Sequence, residues 1–280
     1  MRLPTRLLRR KTDSHKKDYG HVFILAGSSR FSGAAVLCAE SAMRSGAGLA
    51  TLGLPRSINN AIIRIKPKEV MTLPLPETKE QTLSLDGYKK IKDFMQNADV
   101  LVIGPGLGKN NSTYALARRI ISGVKKPVVI DADGLNALAG HLDILKRLGK
   151  KRLEAILTPH PAEMSRLTGS RTRDIQEDRK NIAKKFSGDY NVTVVLKGWR
   201  TEVCGYQRNC YTNHTGNPGM ATAGSRQSVC LVFPVSAPLA TAASAPRESI
   251  SCFRIFAVML ETALILTRRV IAFGSIILIP

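Results

Sequence analysis

The chain has 280 residues, of which 44% are hydrophobic and 22% charged, which is enough apolar sequence for one large globular domain or two small ones. Its formal net charge of +21 points to a partner rich in negative charge, such as nucleic acid, an anionic surface or a phosphorylated substrate. Because only 5% of the residues are aromatic and the basic residues are scattered, a base-stacking surface for nucleic acid is disfavoured.

The predicted elements alternate between strands and helices. The first strand, residues 21–27, is a continuous apolar run typical of a strand buried on both faces, and a helix of small residues follows at 34–45. Further strands are predicted at 49–54, 98–104, 127–132, 155–159, 192–198 and 201–206, and further helices at 86–96, 112–122, 161–168 and 174–186. This alternation predicts a three-layer α/β domain with a mostly parallel central sheet.

Glycines and polar side chains cluster where the predicted strands end. Loops after successive parallel strands lie along one edge of such a sheet, where ligands bind. We therefore expect these loops to form one composite site. Its segments are Gly27-Ser28-Ser29, Gly104-Pro105-Gly106-Leu107-Gly108, Asp131-Ala132-Asp133-Gly134, Thr158-Pro159-His160-Pro161 and Lys197-Gly198-Trp199-Arg200.

The glycine-rich segment 104–109 does not fit the two common phosphate-binding patterns. Only three residues separate Gly104 from the pair Gly108-Lys109, and no Ser or Thr follows Lys109, which excludes a Walker A loop. A dinucleotide fingerprint fails because the third glycine comes two residues after the second. Two interpretations remain: a glycine turn that passes close to a ligand, or a plain loop.

Two carboxylates follow the strand predicted at 127–132. Asp131 comes directly after Ile130, and a carboxylate at this end of a strand can bind Mg²⁺ through water or orient a phosphate, so we favour a functional role for it. Asp133 has two open interpretations, a similar functional role or the N-cap of a helix that begins at Gly134.

A histidine and a lysine are the other candidates. His160 lies between two prolines that restrict its backbone, and we predict that it contacts a substrate, with a purely structural histidine as the alternative. Lys197 precedes Gly198 and supplies a compact cation suited to phosphate oxygens. The alternative for Lys197 is an ordinary hairpin with a solvated lysine.

The segment 215–225 contains three glycines, a proline and no charge. This composition favours a tight turn that brings backbone N–H groups close to a ligand.

The five cysteines, at positions 38, 204, 210, 230 and 252, are odd in number and include no CxxC pair. They predict free thiols in a reducing compartment. Residues 1–17 are basic but lack the apolar stretch of a secretory signal, so we expect a cytoplasmic protein.

With all these segments in view, residues 15–225 resemble the NAD(P)H-hydrate dehydratase family, the carbohydrate-kinase-like branch of the ribokinase-like fold. The family order is kept throughout. Besides the strand-end loops above, the matching segments are Ser32-Gly33-Ala34-Ala35, Arg44-Ser45-Gly46-Ala47-Gly48-Leu49, Ile130-Asp131-Ala132-Asp133-Gly134-Leu135-Asn136, Pro161-Ala162-Glu163-Met164, Val195-Leu196-Lys197-Gly198 and Thr215 to Ser225.

The resemblance implies a lyase that repairs hydrated NADH or NADPH. ADP in bacterial-type members, or ATP in eukaryotic ones, donates a phosphoryl group to the hydroxyl of the hydrated nicotinamide ring, and loss of phosphate restores the double bond. Several phosphates on both ligands suit the charge of +21. The implied partners are these small molecules, with neither nucleic acid nor a membrane, and we expect a homo-oligomer.

The resemblance also implies roles for individual residues. The hydrated dinucleotide would contact Ala34, Gly106 and His160. The nucleotide co-substrate would contact Lys197, Gly198, Trp199, Arg200, Thr201 and Gly224. Asp131 would help to bind Mg²⁺.

The family pattern stops after Ser225. Family members continue with Gly-Asp, where the helix N-terminus binds the transferring phosphoryl group and the aspartate is the general base. Arg226 and Gln227 stand here instead, and Gln227 cannot act as a base, so no catalytic residue is assigned and reduced or absent turnover is predicted. The remaining candidate functions are a small-molecule kinase of the same fold and a nucleotide-binding protein without catalysis.

Residues 226–280 contain no Lys, no Asp and a single glycine, Gly274. We interpret 1–225 as an incomplete ribokinase-like domain and 226–280 as an aberrant tail without a recognisable domain. A frameshift near codon 226 explains this change, and a genuinely divergent terminus is the alternative. The apolar stretch 255–279 is interrupted by Glu261, Arg268 and Arg269, which disfavours a membrane span.

Overall fold

A computed structural model describes residues 12–150, 153–207 and 209–214 of the protein. Nine strands lie within these ranges: β1 (His21–Leu25), β2 (Leu49–Pro55), β3 (Met71–Leu75), β4 (Val100–Ile103), β5 (Val128–Ile130), β6 (Ala155–Leu157), β7 (Thr193–Leu196), β8 (Glu202–Cys204) and β9 (Cys210–Thr212). They form one sheet in the order β3-β2-β1-β4-β5-β6-β7-β8-β9.

The sheet is parallel from β3 to β7 and antiparallel from β7 to β9. Each parallel connection runs through a helix or a longer crossover, as parallel pairing requires. The predicted mostly parallel sheet is confirmed. Its consequence is that the loops after β1, β4, β5, β6 and β7 meet at one edge.

Nine α-helices lie in the described ranges: α1 (Ser32–Arg44), α2 (Asn59–Ile65), α3 (Tyr88–Phe94), α4 (Asn111–Gly123), α5 (Asp133–Leu138), α6 (Asp143–Lys150), α7 (Pro161–Thr168), α8 (Thr172–Glu177) and α9 (Arg179–Tyr190). Short 3₁₀ helices lie at Lys16–Tyr19, Arg56–Ile58, Leu85–Gly87 and Met95–Asn97.

Strand β1 shows why its run of apolar residues is continuous. Phe23 and Leu25 pack into one hydrophobic core with residues of α3 to α9, whereas Val22 and Ile24 pack into a second core with α1 and α2. Successive side chains of a strand point to opposite faces of the sheet, so a sheet covered on both faces needs apolar residues at every position. The three-layer α/β class is confirmed.

Several elements differ from the prediction. Strands β3 and β9 and helices α2 and α6 were not predicted, and α5 was considered only in the N-cap interpretation of Asp133. The helices expected at 86–96 and 174–186 are each divided into shorter pieces. Strand β3 lies at the edge of the sheet, contains Pro74 and is mostly half-exposed, so it lacks the apolar run of a central strand. Helix α7 matches the predicted bounds because Pro161 starts it and Gly169 ends it in a left-handed conformation.

The prediction of free thiols is wrong for two cysteines. Cys204 and Cys210 face each other directly across the β8–β9 hairpin, with Cα atoms 4.2 Å apart, and form a disulfide. This pairing could not be predicted from the sequence, because β9 was not predicted. Cys38 is free and fully buried on α1, while positions 230 and 252 lie outside the described residues.

No helix in the described ranges is both long and apolar enough to cross a membrane. The stretch 255–279 lies outside those ranges, as does the whole of the proposed tail 226–280.

Candidate functional site

The glycine turn after β4 packs directly on the loop after β1. The Gly27 N–H donates to the Pro105 carbonyl at 2.8 Å, and the Ser28 hydroxyl donates to the Gly106 carbonyl at 2.8 Å. The two loops are therefore joined by backbone contacts at the carboxyl edge of the sheet, which positions their N–H groups without long side chains between them.

Two positions of this turn require glycine because neighbouring atoms lie too close for a side chain. Gly104 has a φ of +132°, and a Cβ atom there would lie 1.7 Å from the Asp131 carbonyl oxygen. Gly106 has a φ of +65°, and its Cβ would lie 2.8 Å from the Phe31 carbonyl oxygen and 3.0 Å from the Ala34 Cβ. Ala34 and Gly106, which the sequence assigned to one ligand, are thus immediate neighbours.

The centre of the edge is a buried ion pair between the ends of β5 and β7. Lys197 Nζ donates to Asp131 Oδ1 at 2.5 Å, and Thr158 Oγ1, from the end of β6, donates to the same oxygen at 2.7 Å. The exposed fractions of Asp131 and Lys197 are 3% and 6%. The lysine is therefore buried in the hairpin rather than solvated, and the structure pairs two side chains that the sequence had assigned to different ligands.

Asp133 is the first residue of α5, and its side chain stabilises the glycine turn by a hydrogen bond. Ala132, with a φ of +47°, occupies the N-cap position, so the N-cap interpretation of Asp133 is wrong. The Asp133 carboxylate accepts the Gly108 N–H at 2.9 Å and the Asn136 side-chain amide at 3.1 Å. It therefore links the loops after β4 and β5.

His160 caps helix α7. Its Nδ1 accepts the N–H groups of Ala162 and Glu163 at 3.1 and 3.3 Å, and Glu163 in return accepts the His160 N–H at 2.8 Å. Because Nδ1 accepts, the ring proton is on Nε2, which lies 3.1 Å from Glu163 Oε1. The side chain is 27% exposed, so the substrate contact stays a prediction beside an observed structural role.

The turn between β7 and β8 presents Trp199 to solvent. Arg179 of α9 donates to the carbonyl oxygens of Leu196 and Trp199 at 2.8 and 2.6 Å. Its guanidinium packs against Gly198, which has a φ of +149°. The Trp199 side chain is 80% exposed, and the Arg200 guanidinium lies 4.3 Å from its ring centroid. Thr201 donates to the Gly198 carbonyl at 2.9 Å.

The sequence offered no signal for Arg179. It lies on a helix eighteen residues before Lys197, and only the packing of α9 against the hairpin brings the guanidinium to the turn. Burial lowers the pKa of Arg179 from its usual value, and its Nε has no hydrogen-bond partner. Burial, with a contribution from the Asp131 charge, raises the pKa of the Cys38 thiol, so Cys38 is unsuited to nucleophilic chemistry.

Within the described ranges no group of three or more His, Cys, Asp or Glu side chains could hold a metal ion. Gly224, Gln227 and the segment 215–225 lie outside those ranges.

A groove of about 240 Å³ lies away from these loops. One wall comes from α3 and the turn after it, within residues 88–96. The other comes from the end of α4 and the segment after it, within residues 120–126. These residues precede β4 and β5, so the groove lies at the opposite edge of the sheet and takes no part in the composite site.

The carbohydrate-kinase family model, described as NAD(P)H-hydrate dehydratase, matches residues 22–226. The chain belongs to this family. The match includes every strand-end loop described above and ends at residue 226.

Individual relatives agree with the family match. The chain is 42% identical over 221 residues to the bifunctional NAD(P)H-hydrate repair enzyme of Moorella thermoacetica, an alignment that covers 79% of this chain and 41% of that enzyme. It thus spans less than half the length of this relative.

Solved structures support the same fold. The ADP/ATP-dependent NAD(P)H-hydrate dehydratase of Bacillus subtilis, co-crystallised with ATP and Mg²⁺, superposes with a TM-score of 0.66 at 31% identity over 81% of this chain and 75% of that one. A ribokinase-like superfamily protein from Enterococcus faecalis gives a TM-score of 0.70 at 20% identity, covering 94% of this chain and 84% of its own. The predicted ribokinase-like fold of this dehydratase family is confirmed.

Proposed function

We propose that this chain carries the ADP- or ATP-dependent dehydratase site of its family, which converts the (S)-hydrates of NADH and NADPH to the intact dinucleotides. The observation that supports this most is the single edge at which the loops after β1, β4, β5, β6 and β7 meet. The nucleotide would donate a phosphoryl group to the ring hydroxyl. Loss of inorganic phosphate and a ring proton would then restore the double bond.

The adjacency of Ala34 and Gly106 supports their assignment to the hydrated dinucleotide. Both present small surfaces, which allow a ligand to approach the backbone closely. The exposed ring edge of His160 would complete this side of the site. The proposed contact is with the dinucleotide and not with the transferring phosphoryl group.

The hairpin turn supports the assignment of Lys197, Gly198, Trp199, Arg200 and Thr201 to the nucleotide. The exposed Trp199 ring offers a stacking surface to the base of a nucleotide, and the Arg200 guanidinium offers a cation to its phosphates. Gly224 is proposed for the same ligand by family resemblance alone.

Mg²⁺ is proposed to arrive with the nucleotide phosphates. Asp131 does not fit as a direct metal ligand through Oδ1, because that oxygen already accepts hydrogen bonds from the Lys197 ammonium and the Thr158 hydroxyl. A divalent cation on the same oxygen would lie within a few ångströms of the ammonium charge. The water-mediated Mg²⁺ role of Asp131 stays a prediction.

We further propose that turnover by this chain is strongly reduced. Loss of the general base at position 227 lowers the rate by ~10²–10⁴-fold, and loss of the anion-binding helix start at position 226 by about 10²–10³-fold more. Gln227 is the specific observation that favours a second candidate function, nucleotide binding without catalysis.

The deciding experiment supplies the full chain with hydrated NADH, ADP or ATP, and Mg²⁺, and follows recovery of the reduced nicotinamide absorbance. The DNA after codon 225 is sequenced first. If another reading frame encodes Gly-Asp there, a second chain translated in that frame is the matched comparison. We expect recovery at least about 10²-fold faster with the second chain. Formation of a phosphorylated product without dinucleotide recovery would instead identify a small-molecule kinase.

The proposed setting is a cytoplasmic homo-oligomer whose partners are small phosphorylated molecules rather than nucleic acid or a membrane. The cytoplasm keeps most thiols reduced, so the disulfide between Cys204 and Cys210 is the observation that this setting has to accommodate. Thiol titration of protein isolated under acid quench, a gel-shift assay at moderate salt, and size-exclusion chromatography with light scattering test these three statements.

A further inference from the structure

We propose that Asp131 is a positioning residue that, together with Thr158, holds the Lys197 ammonium in place for a nucleotide phosphate, and that it is not a ligand to Mg²⁺. This inference rests on the proposed nucleotide site. It assigns a joint task to three side chains from the ends of three neighbouring strands.

Backbone hydrogen bonds fix the main chain at all three residues. The Asp131 N–H donates to the Ile103 carbonyl at 3.1 Å, and the Thr158 N–H donates to the Ile130 carbonyl at 3.1 Å. The Lys197 N–H donates to the Pro159 carbonyl at 2.8 Å. The backbone of each residue is thus tied to the adjacent strand end, which brings the three side chains together. The Lys197 ammonium itself is held by its side-chain contact with Asp131.

Charge and burial explain why the Lys197 ammonium needs a paired carboxylate. An unpaired ammonium that is 6% exposed would favour its neutral form or turn towards water, and either change removes a fixed cation from the site. Asp131 supplies the opposite charge at 2.5 Å, and Thr158 Oγ1 satisfies the same carboxylate oxygen at 2.7 Å. The pair keeps Lys197 charged and directed at the edge where the hairpin turn begins.

The same contacts argue against the alternative role. A carboxylate oxygen that accepts an ammonium and a hydroxyl is already charge-balanced. An additional divalent cation on this oxygen would have to displace Lys197.

The test measures ADP affinity of the full chain by calorimetry, with excess Mg²⁺ and with a chelator in its place. The variants are Asp131→Asn, Lys197→Met, the double variant, and Thr158→Val. The exposed pair Arg171–Asp174 provides the control Asp174→Asn, which removes a carboxylate far from this cluster. Thermal unfolding of every variant verifies that it is folded.

We expect Asp131→Asn to weaken ADP binding about 10-fold, and the factor should be the same with and without Mg²⁺. In the Lys197→Met background, Asp131→Asn should have no further effect on ADP affinity, because the proposed role of this carboxylate is to hold the lysine. Thr158→Val keeps both charges and provides the test if Asp131→Asn does not fold. It should weaken ADP binding about 3-fold, again independently of Mg²⁺.

Two results would overturn the inference while leaving the proposed function intact. One is a loss of ADP affinity in Asp131→Asn that occurs only with Mg²⁺ present, which would make Asp131 a metal ligand. The other is an ADP affinity that Asp131→Asn leaves unchanged, or losses from Asp131→Asn and Lys197→Met that add in the double variant. No ADP binding by the unsubstituted chain under either condition would overturn the nucleotide site and this inference together.

Discussion

At the scale of single residues, the loops of the site depend on close backbone approach more than on reactive side chains. Gly104 approaches the Asp131 carbonyl, and Gly106 approaches Phe31 and Ala34, so that three strand ends fit into one edge. The glycine spacing in the sequence therefore has a packing cause, although it matches neither common phosphate-binding pattern.

The first prediction concerns Gly104→Ala. A methyl group at a φ of +132° and 1.7 Å from a carbonyl oxygen forces the loops after β4 and β5 apart, so we expect a loss of about 3 kcal/mol in the free energy of unfolding. Urea denaturation measures it. Gly33→Ala is the matched control because nothing lies within 4 Å of its added Cβ, and it should be neutral or slightly stabilising. Equal losses in both variants would contradict the steric explanation.

At the scale of elements, helix α7 joins structure and proposed function at His160. Its histidine caps the helix, its first residue is a proline, and the helix ends at Gly169. The sequence predicted the bounds of this helix, because both end signals are local. It did not distinguish a capping histidine from a substrate-binding one, because that depends on which atoms the ring meets.

The second prediction separates these two roles of His160. His160→Ala removes the cap and should lower the free energy of unfolding by about 1 kcal/mol, whereas His160→Asn retains a capping side chain and most of the stability. If the ring also contacts the dinucleotide, both variants should weaken binding of hydrated NADH to a similar degree. Thermal unfolding and calorimetry are the two measurements. If His160→Asn instead binds hydrated NADH as tightly as the unsubstituted chain and only His160→Ala binds it more weakly, the role of His160 is structural alone.

The third prediction concerns the β8–β9 hairpin. The Cys204–Cys210 bridge closes a short loop with a sequence separation of 6 residues, and closing such a loop contributes about 2 kcal/mol. Dithiothreitol should therefore lower the unfolding midpoint of the unsubstituted chain. The double variant Cys204→Ser and Cys210→Ser should start from the lower midpoint and show no response to the reductant. An equal response of both proteins would trace the effect to other cysteines.

At the scale of the whole molecule, the net charge of +21 is the property that the site alone does not explain. Exposed basic residues over the surface create a field that attracts multiply charged anions from beyond contact distance. That field is screened by salt, with a screening length of about 10 Å at 0.1 M.

The fourth prediction follows from this field. The affinity of the chain for ADP should fall about 3- to 10-fold when sodium chloride is raised from about 0.05 to 0.5 M. Adenosine, which carries the base and no phosphate, is the control ligand and its affinity should not change. Quenching of Trp199, the single tryptophan, gives the readout. A salt-independent ADP affinity would show that short-range contacts dominate.

The sequence by itself determined the class of fold and the edge at which the site lies. Continuous apolar runs produced buried parallel strands, and glycine, proline and carboxylate residues marked the strand ends, because the signals for strand burial and turns are local. The family pattern and its end near residue 226 were also readable from the residues alone.

Only the tertiary structure decided which side chains act together. Lys197 and Asp131 are 66 residues apart, Arg179 reaches the hairpin from a separate helix, and Cys210 meets Cys204 through a strand that has no apolar run. These pairings depend on strand order, register and helix packing. Their energies come from charge, burial and contact between segments that are distant in the chain, and no local pattern records them.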